Sequence, residues 1–216
     1  MNHHGFVARF RLHSLAVACA TVCLVGLSEG ALRAEPQNQT RYVPAASGNE
    51  ARYRVREQFV GVNLPNDAVG TTSAVTGAIV LDATGAVVAG ASTFVVDLRG
   101  LKSDSENRDR IVQGRILETE QFPTLELAVT ALRGLAWPLP ASGDLTFELV
   151  TDMTVHGVTK SRTWQVTATP RAGGLAGRAS TSFTFGDFGM PVPTSFRLLS
   201  VEDNVRLEYD FHLVPG

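Results

Sequence analysis

The sequence predicts an all-β domain of antiparallel strands, and three observations carry that reading. Short runs in which apolar and polar residues alternate follow one another from about residue 51 to the end of the chain. Clusters of Gly, Pro, Asn and Asp separate them, and only one stretch interrupts the pattern. Period-two alternation gives each strand one wet and one dry face, which belongs to antiparallel rather than parallel sheet. With 216 residues, 44% of them hydrophobic, the chain is long enough for one domain with a sizeable core.

The elements follow in chain order. Arg9 and Arg11 precede an uncharged run from Ser14 to Leu27, shorter than the roughly 20 apolar residues that span a bilayer. Residues 1–34 therefore read as a secretory signal, with cleavage after Ala34 in ALRAEPQ and a periplasmic or secreted product. Cys19 and Cys23 both fall inside it, so the mature chain is expected to lack disulfides and thiol nucleophiles. A lipoprotein anchored at Cys19 is the weaker reading, because more apolar residues follow that cysteine than precede it. Losing this segment removes three arginines and one glutamate and leaves a net charge of −4, which gives no footprint for nucleic acid. Residues 35–50 are polar and aperiodic and read as a flexible linker, so the domain is expected over 51–214.

Within the domain, ARYRVREQFVGV places Tyr53, Val55 and Phe59 on one face. A Pro-Asn-Asp loop leads to TSAVTGAIVL, which turns at DATG; STFVVDL then aligns Phe94, Val96 and Leu98. SDSENRDRIVQGRILETEQF, residues 103–122, lacks alternation; Ser103 with Glu106 spells a capping box, so one or two helical turns are expected there, ended by Pro123. TLELAVTAL, DLTFELVTDMTV, VTKSRTWQVTAT, GRASTSFTF and VRLEYDFHL complete eight candidate strands. Eight strands close into a barrel wide enough for one small ligand or split into a sandwich, and periodicity leaves both open.

The segment TDMTVHGVTKSRTWQV decides the most. A two-residue hairpin at His156-Gly157 pairs Val155 with Val158, Met153 with Lys160, Thr151 with Arg162, Leu149 with Trp164 and Phe147 with Val166, all on one face. A tight hairpin of the primed type needs positive φ at its corner, which Gly adopts freely and His tolerates, so His156 reads as a turn residue rather than a catalytic one. Lys160 and Arg162 fall on the apolar face near the tip. Two roles fit them: stems covering apolar surface with heads in water, or contacts to the polar head of an amphiphile at a cavity opening.

Other motifs dissolve on inspection. Asp187-Phe188-Gly189 lacks the glycine-rich loop and lysine of a kinase, and GGLAG at 173–177 lacks the spacing of a phosphate cradle. His156 and His212 are the only histidines after residue 34, so neither a metal site nor a cofactor is expected. No GxSxG accompanies them, and Glu148 and Asp152 fall on the wet face, so no catalytic residues are assigned.

Taken together, Arg108-Asp109 before a short helix, Phe122-Pro123 leading into a strand, Gly143 opening the strand that ends in TVHGVTK, and Asp187-Phe188-Gly189 resemble the YceI-like family of polyisoprenoid-binding bacterial proteins. The resemblance implies an eight-stranded, lipocalin-like antiparallel barrel around an apolar tunnel, and no enzymatic activity. It departs from the family at the opening strands, where an Asp-x-x-His-Ser segment and a further His are replaced by RYRVREQFVGVNLPNDAVGTT. The expected ligand is a long-chain isoprenoid or related lipid, contacted by Phe147, Leu149, Trp164, Val166, Phe183 and Phe185, with Lys160 and Arg162 near an opening. A filled barrel serving as a structural or interaction module of the cell envelope is the alternative, and pairing into a homodimer stays open.

Overall fold

The structure, a computed structural model, describes residues 38–216. The expected signal segment and its cysteines lie outside them. Eleven strands form one antiparallel sheet: β1 (Thr40–Pro44), β2 (Glu50–Phe59), β3 (Asn66–Thr72), β4 (Val75–Leu81), β5 (Thr93–Asp97), β6 (Lys102–Ser103), β7 (Thr124–Arg133), β8 (Leu145–Val155), β9 (Val158–Arg171), β10 (Gly174–Phe183) and β11 (Leu198–Pro215). The order of pairing is β1-β4-β5-β7-β8-β9-β10-β11, and a further β1–β11 contact closes the ring into an eight-stranded barrel. Because β11 is 18 residues long, its first part pairs with β2 and its last residues with β1. β1 and β2 thus share one place in the wall, as do their partners β4 and β3.

All eight expected strands form, and the alternation shows why. On β7, Leu125, Leu127 and Val129 are buried while the residues between them are exposed. On β8 and β9 the register is the one the hairpin requires, from Val155 opposite Val158 through Leu149 opposite Trp164 to Leu145 opposite Ala168. His156 (φ 51°) and Gly157 (φ 72°) both adopt the left-handed conformation that the primed turn demands. A side chain at 157 would also strike Phe122, whose Cε1 lies 2.8 Å from an added Cβ.

Three expectations need correction. Residues 40–44, placed in the linker, form β1, with Tyr42 buried opposite Ile79; five residues ending in proline are too few to display a period. Asn66 and Asp67, read as loop, begin β3, where Asp67 bridges Arg54 and Arg56 of β2. The helix α1 (Glu106–Ile111) is capped by Ser105, whose side chain accepts from the Arg108 N–H, and not by Ser103. Ser103 is held in β6 opposite Gly70, and both its N–H and its hydroxyl donate to the buried Asp109 carboxylate at 2.8 and 2.7 Å. A wide helical turn, Val112–Ile116, continues α1, and a short 3-10 turn, Phe185–Phe188, follows β10.

The core is the barrel's interior. Val129, Met153, Val155, Trp164, Val166, Ala179 and Phe211 are buried there from five successive strands. Outside, β2, β10 and β11 carry a band of ion pairs. Glu208 lies beneath Arg52, Arg54 and Arg206, and Asp210 takes Arg52 and Arg178 at 2.5 Å each. Those arginines hold the Asp210 carboxyl below its ordinary pKa, chiefly through the hydrogen bond from Arg178.

Candidate functional site: an apolar cavity

The barrel is hollow. A cavity of about 510 Å³ runs through it, walled by Phe147 and Leu149 of β8, Trp164 and Val166 of β9, Phe183 of β10 and Phe185 of the 3-10 turn. Tyr53 and Val55, Leu125 and Leu127, and Leu207 and Phe211 complete the wall from β2, β7 and β11. Such a volume lies within the range that holds small organic ligands, and a wall of aliphatic and aromatic side chains suits an apolar one. Trp164 keeps its indole N–H satisfied without a guest, donating to the fully buried Thr151 hydroxyl at 3.2 Å.

Lys160 and Arg162 are not among the residues of the cavity wall. The hairpin tip itself reaches the cavity through Val155, while the side chains of Lys160 and Arg162 turn to the 3-10 turn. Asp187 of that turn meets Lys160 at 3.2 Å and Arg162 at 2.7 Å, and the Arg162 guanidinium lies 5.2 Å over the ring of Phe188. Phe188 is fully buried and packs edge-on against Phe183, at 4.8 Å between ring centres. The apolar face of the hairpin therefore serves twice: Phe147, Leu149, Val155, Trp164 and Val166 wall the cavity, and Lys160 and Arg162 clamp the 3-10 turn. Asp187 also accepts from the Thr184 N–H; that bond, with Lys160 and Arg162, holds its carboxyl below the ordinary range.

His156 joins the same closure. Its Nε2 lies 2.7 Å from Glu118 Oε2, its Nδ1 3.2 Å from the Phe188 carbonyl, and its ring packs edge-on against Phe122 at 4.8 Å. Three chain segments meet on one imidazole, which makes it a structural tie as well as a turn residue.

Two polar features of the interior escape a reading by period. Glu57 belongs to the inward stripe of β2 with Tyr53, Val55 and Phe59, and it is buried. Arg108 of α1 reaches across 51 positions to pair with it at 2.7 Å, and also meets Asp104. Helix and barrel are joined by that pair at the cavity wall; the signal available in the sequence was a carboxylate on an otherwise apolar stripe. Tyr53 lies over Gly70 of β3, where an added Cβ would sit 2.3 Å from the ring. Its hydroxyl is buried without a hydrogen-bond partner, and burial pushes its pKa up to about 12.

The cavity reaches the surface at the end that carries α1. Asn107, Thr194, Ser195 and Arg197 belong both to its wall and to the exposed surface. Among the described residues no group of three or more His, Cys, Asp or Glu is placed to hold a metal ion.

A closed antiparallel barrel around an apolar cavity defines the class: a lipocalin-like binding barrel. The YceI-like domain family matches residues 43–213, and the chain belongs to that family. UPF0312 proteins from two Pseudomonas putida strains are 31% identical over 112 residues, 48% of this chain and 55% of theirs. The chain thus spans about half the length of the curated relatives it matches. A polyisoprenoid binding domain from Saccharophagus degradans, implicated in plant cell wall breakdown, shares the fold at a TM-score of 0.57 and 12% identity, over 79% of this chain and 98% of that one. BcnA of Burkholderia cenocepacia does so at 0.56 and 15% identity, over 76% and 96%. The YCEI protein of Campylobacter jejuni does so at 0.52 and 12%, over 68% and 84%.

Proposed function

We propose that this protein binds, and carries or sequesters, a long apolar amphiphile of the polyisoprenoid or related lipid class inside its barrel, without catalysis, after export from the cytoplasm. The observation that carries the reading is the cavity: about 510 Å³ of apolar space that the side chains leave unfilled. Each methylene buried there contributes about 0.8 kcal/mol, so a chain of repeated isoprene units gains affinity with every unit that fits. Membership of the family and the polyisoprenoid-binding domain among its structural neighbours support the lipid class. Export rests on the signal-like residues 1–34.

A barrel packed solid by its own side chains, the alternative, has the cavity against it. Native mass spectrometry of protein purified from bacterial cells tests the proposal. Expected is an adduct of lipid mass, lost in Ala179→Phe, which projects a ring into the cavity from β10 while circular dichroism shows the barrel retained. Protein that carries no lipid and takes none from a membrane extract refutes it.

A further inference from the structure

All six large apolar side chains that stand exposed among the described residues fall on two segments: Val60, Val62 and Leu64 between β2 and β3, and Val192, Phe196 and Leu199 before and at the start of β11. Phe196 is 88% exposed and Leu64 75%. The segments are neighbours. The Val60 N–H donates to the Arg197 carbonyl at 2.9 Å, and Phe59 pairs with Leu198. Isolated apolar residues on a surface are ordinary; six gathered on two adjoining segments mark a contact surface.

Two further observations identify what it contacts. Thr194, Ser195, Arg197 and Leu198 on the second segment, and Phe59 at the edge of the first, are also wall residues of the cavity, so the patch borders its opening. Across residues 60–66 and 190–201 the sole charged residue is Arg197, whose guanidinium lies 5.4 Å over the Phe196 ring; there is no carboxylate. A protein partner's interface carries a mixed polar rim, whereas aromatic and aliphatic tips beside a lone cation suit the boundary between acyl chains and phosphate headgroups. The Phe196 ring enters the apolar layer, and Arg197 reaches the anionic headgroups.

We infer that these two segments dock the barrel on a lipid bilayer with its cavity opening facing the membrane, so that ligand passes between bilayer and barrel without crossing water. The inference rests on the lipid-carrier reading for its purpose but not for its test. Docking is read by co-sedimentation of the full chain with vesicles of phosphatidylcholine containing about 30% phosphatidylglycerol, comparing wild type with the double variant Leu64→Ser/Phe196→Ser. Both positions are exposed, so the variant is expected to melt as wild type does. Expected is sedimentation of the wild type and at least about a tenfold weaker partition of the variant. Transfer of a fluorescent polyprenol out of the vesicles should slow in parallel, with no change in affinity for the same probe in detergent.

Wild type that stays in solution overturns the inference, as does a variant that sediments equally well. So does a patch-dependent dimer, in which wild type self-associates and the variant is monomeric in sedimentation velocity. The carrier reading fails separately: wild type that docks on vesicles but never holds lipid in native mass spectrometry keeps the membrane surface and loses the cargo.

Discussion

At the corner between β8 and β9, one residue type meets two demands. His156 tolerates the positive φ that the turn imposes, and its ring ties the turn to Glu118, Phe122 and the Phe188 carbonyl. Replacing it with Asn keeps the backbone preference and gives up the ties, so His156→Asn is expected to fold and to lose about 1 kcal/mol in urea denaturation. His156→Ala should lose about 1 kcal/mol more, because alanine resists the left-handed region. A His156→Asn variant as stable as wild type would remove these ties from the account. Tyr53 gives a prediction of opposite sign. Its buried hydroxyl has no partner, so Tyr53→Phe is expected to stabilise the barrel by about 1 kcal/mol, read as a rise in the melting temperature.

Elements differ in how openly they were written. The β8–β9 hairpin was legible to the residue, because eleven paired positions repeat one period and a misregister by one would have put Trp164 in water. β1 and β3 were not. β1 is held by what it pairs with, not by its own period, and β3 keeps its hydrogen-bonding place while Gly70 gives its inward space to a neighbour's Tyr53. The helix start was misplaced by two residues, since Ser103 and Ser105 carry the same chemistry and only tertiary pairing of Ser103 with the sheet decides between them. That same helix is tied to the barrel by Arg108 and Glu57, both nearly buried. Arg108→Met leaves Glu57 without its cation and is expected to cost about 3 kcal/mol, with Arg108→Met/Glu57→Leu recovering most of it in the same denaturation assay.

The closing turn carries a pH dependence. Asp187 has a folded-state pKa below its unfolded value of about 3.9, so its stabilising contribution is complete above that value and is lost as pH falls through the folded-state pKa. Asp210, lowered by its arginines, and Asp97, held at about 2 by Arg99, act in the same direction. Stability should therefore fall with acid below about pH 4, and Asp187→Asn should flatten that slope while lowering stability at neutral pH. A variant whose acid profile is parallel to wild type would remove Asp187 from this role.

For the molecule as a whole, the closed barrel follows from consistency: strands of alternating period, turns with the right residues, and one strand long enough to seal the ring against both β1 and β2. The candidate site was legible in part. Phe147, Leu149, Trp164 and Val166 could be assigned to the dry face by parity, and with Phe183 and Phe185 they stand on the cavity wall. Lys160 and Arg162 share that parity but are not wall residues; they pair with Asp187 of the 3-10 turn, a contact that a period does not encode. The rim of exposed apolar loops carries no period at all and became visible only as surface.

Trp164 offers the most direct test of an occupied interior, because a guest in the cavity must lie against its ring. In Trp137→Phe, which leaves Trp164 as the sole described indole, a polyprenol brominated along its chain should quench emission saturably at one equivalent, and added ligand at 100 times Kd should stabilise the fold by about 2.7 kcal/mol. Emission that stays constant, or falls without saturating as lipid is added, would contradict a barrel that takes its ligand inside.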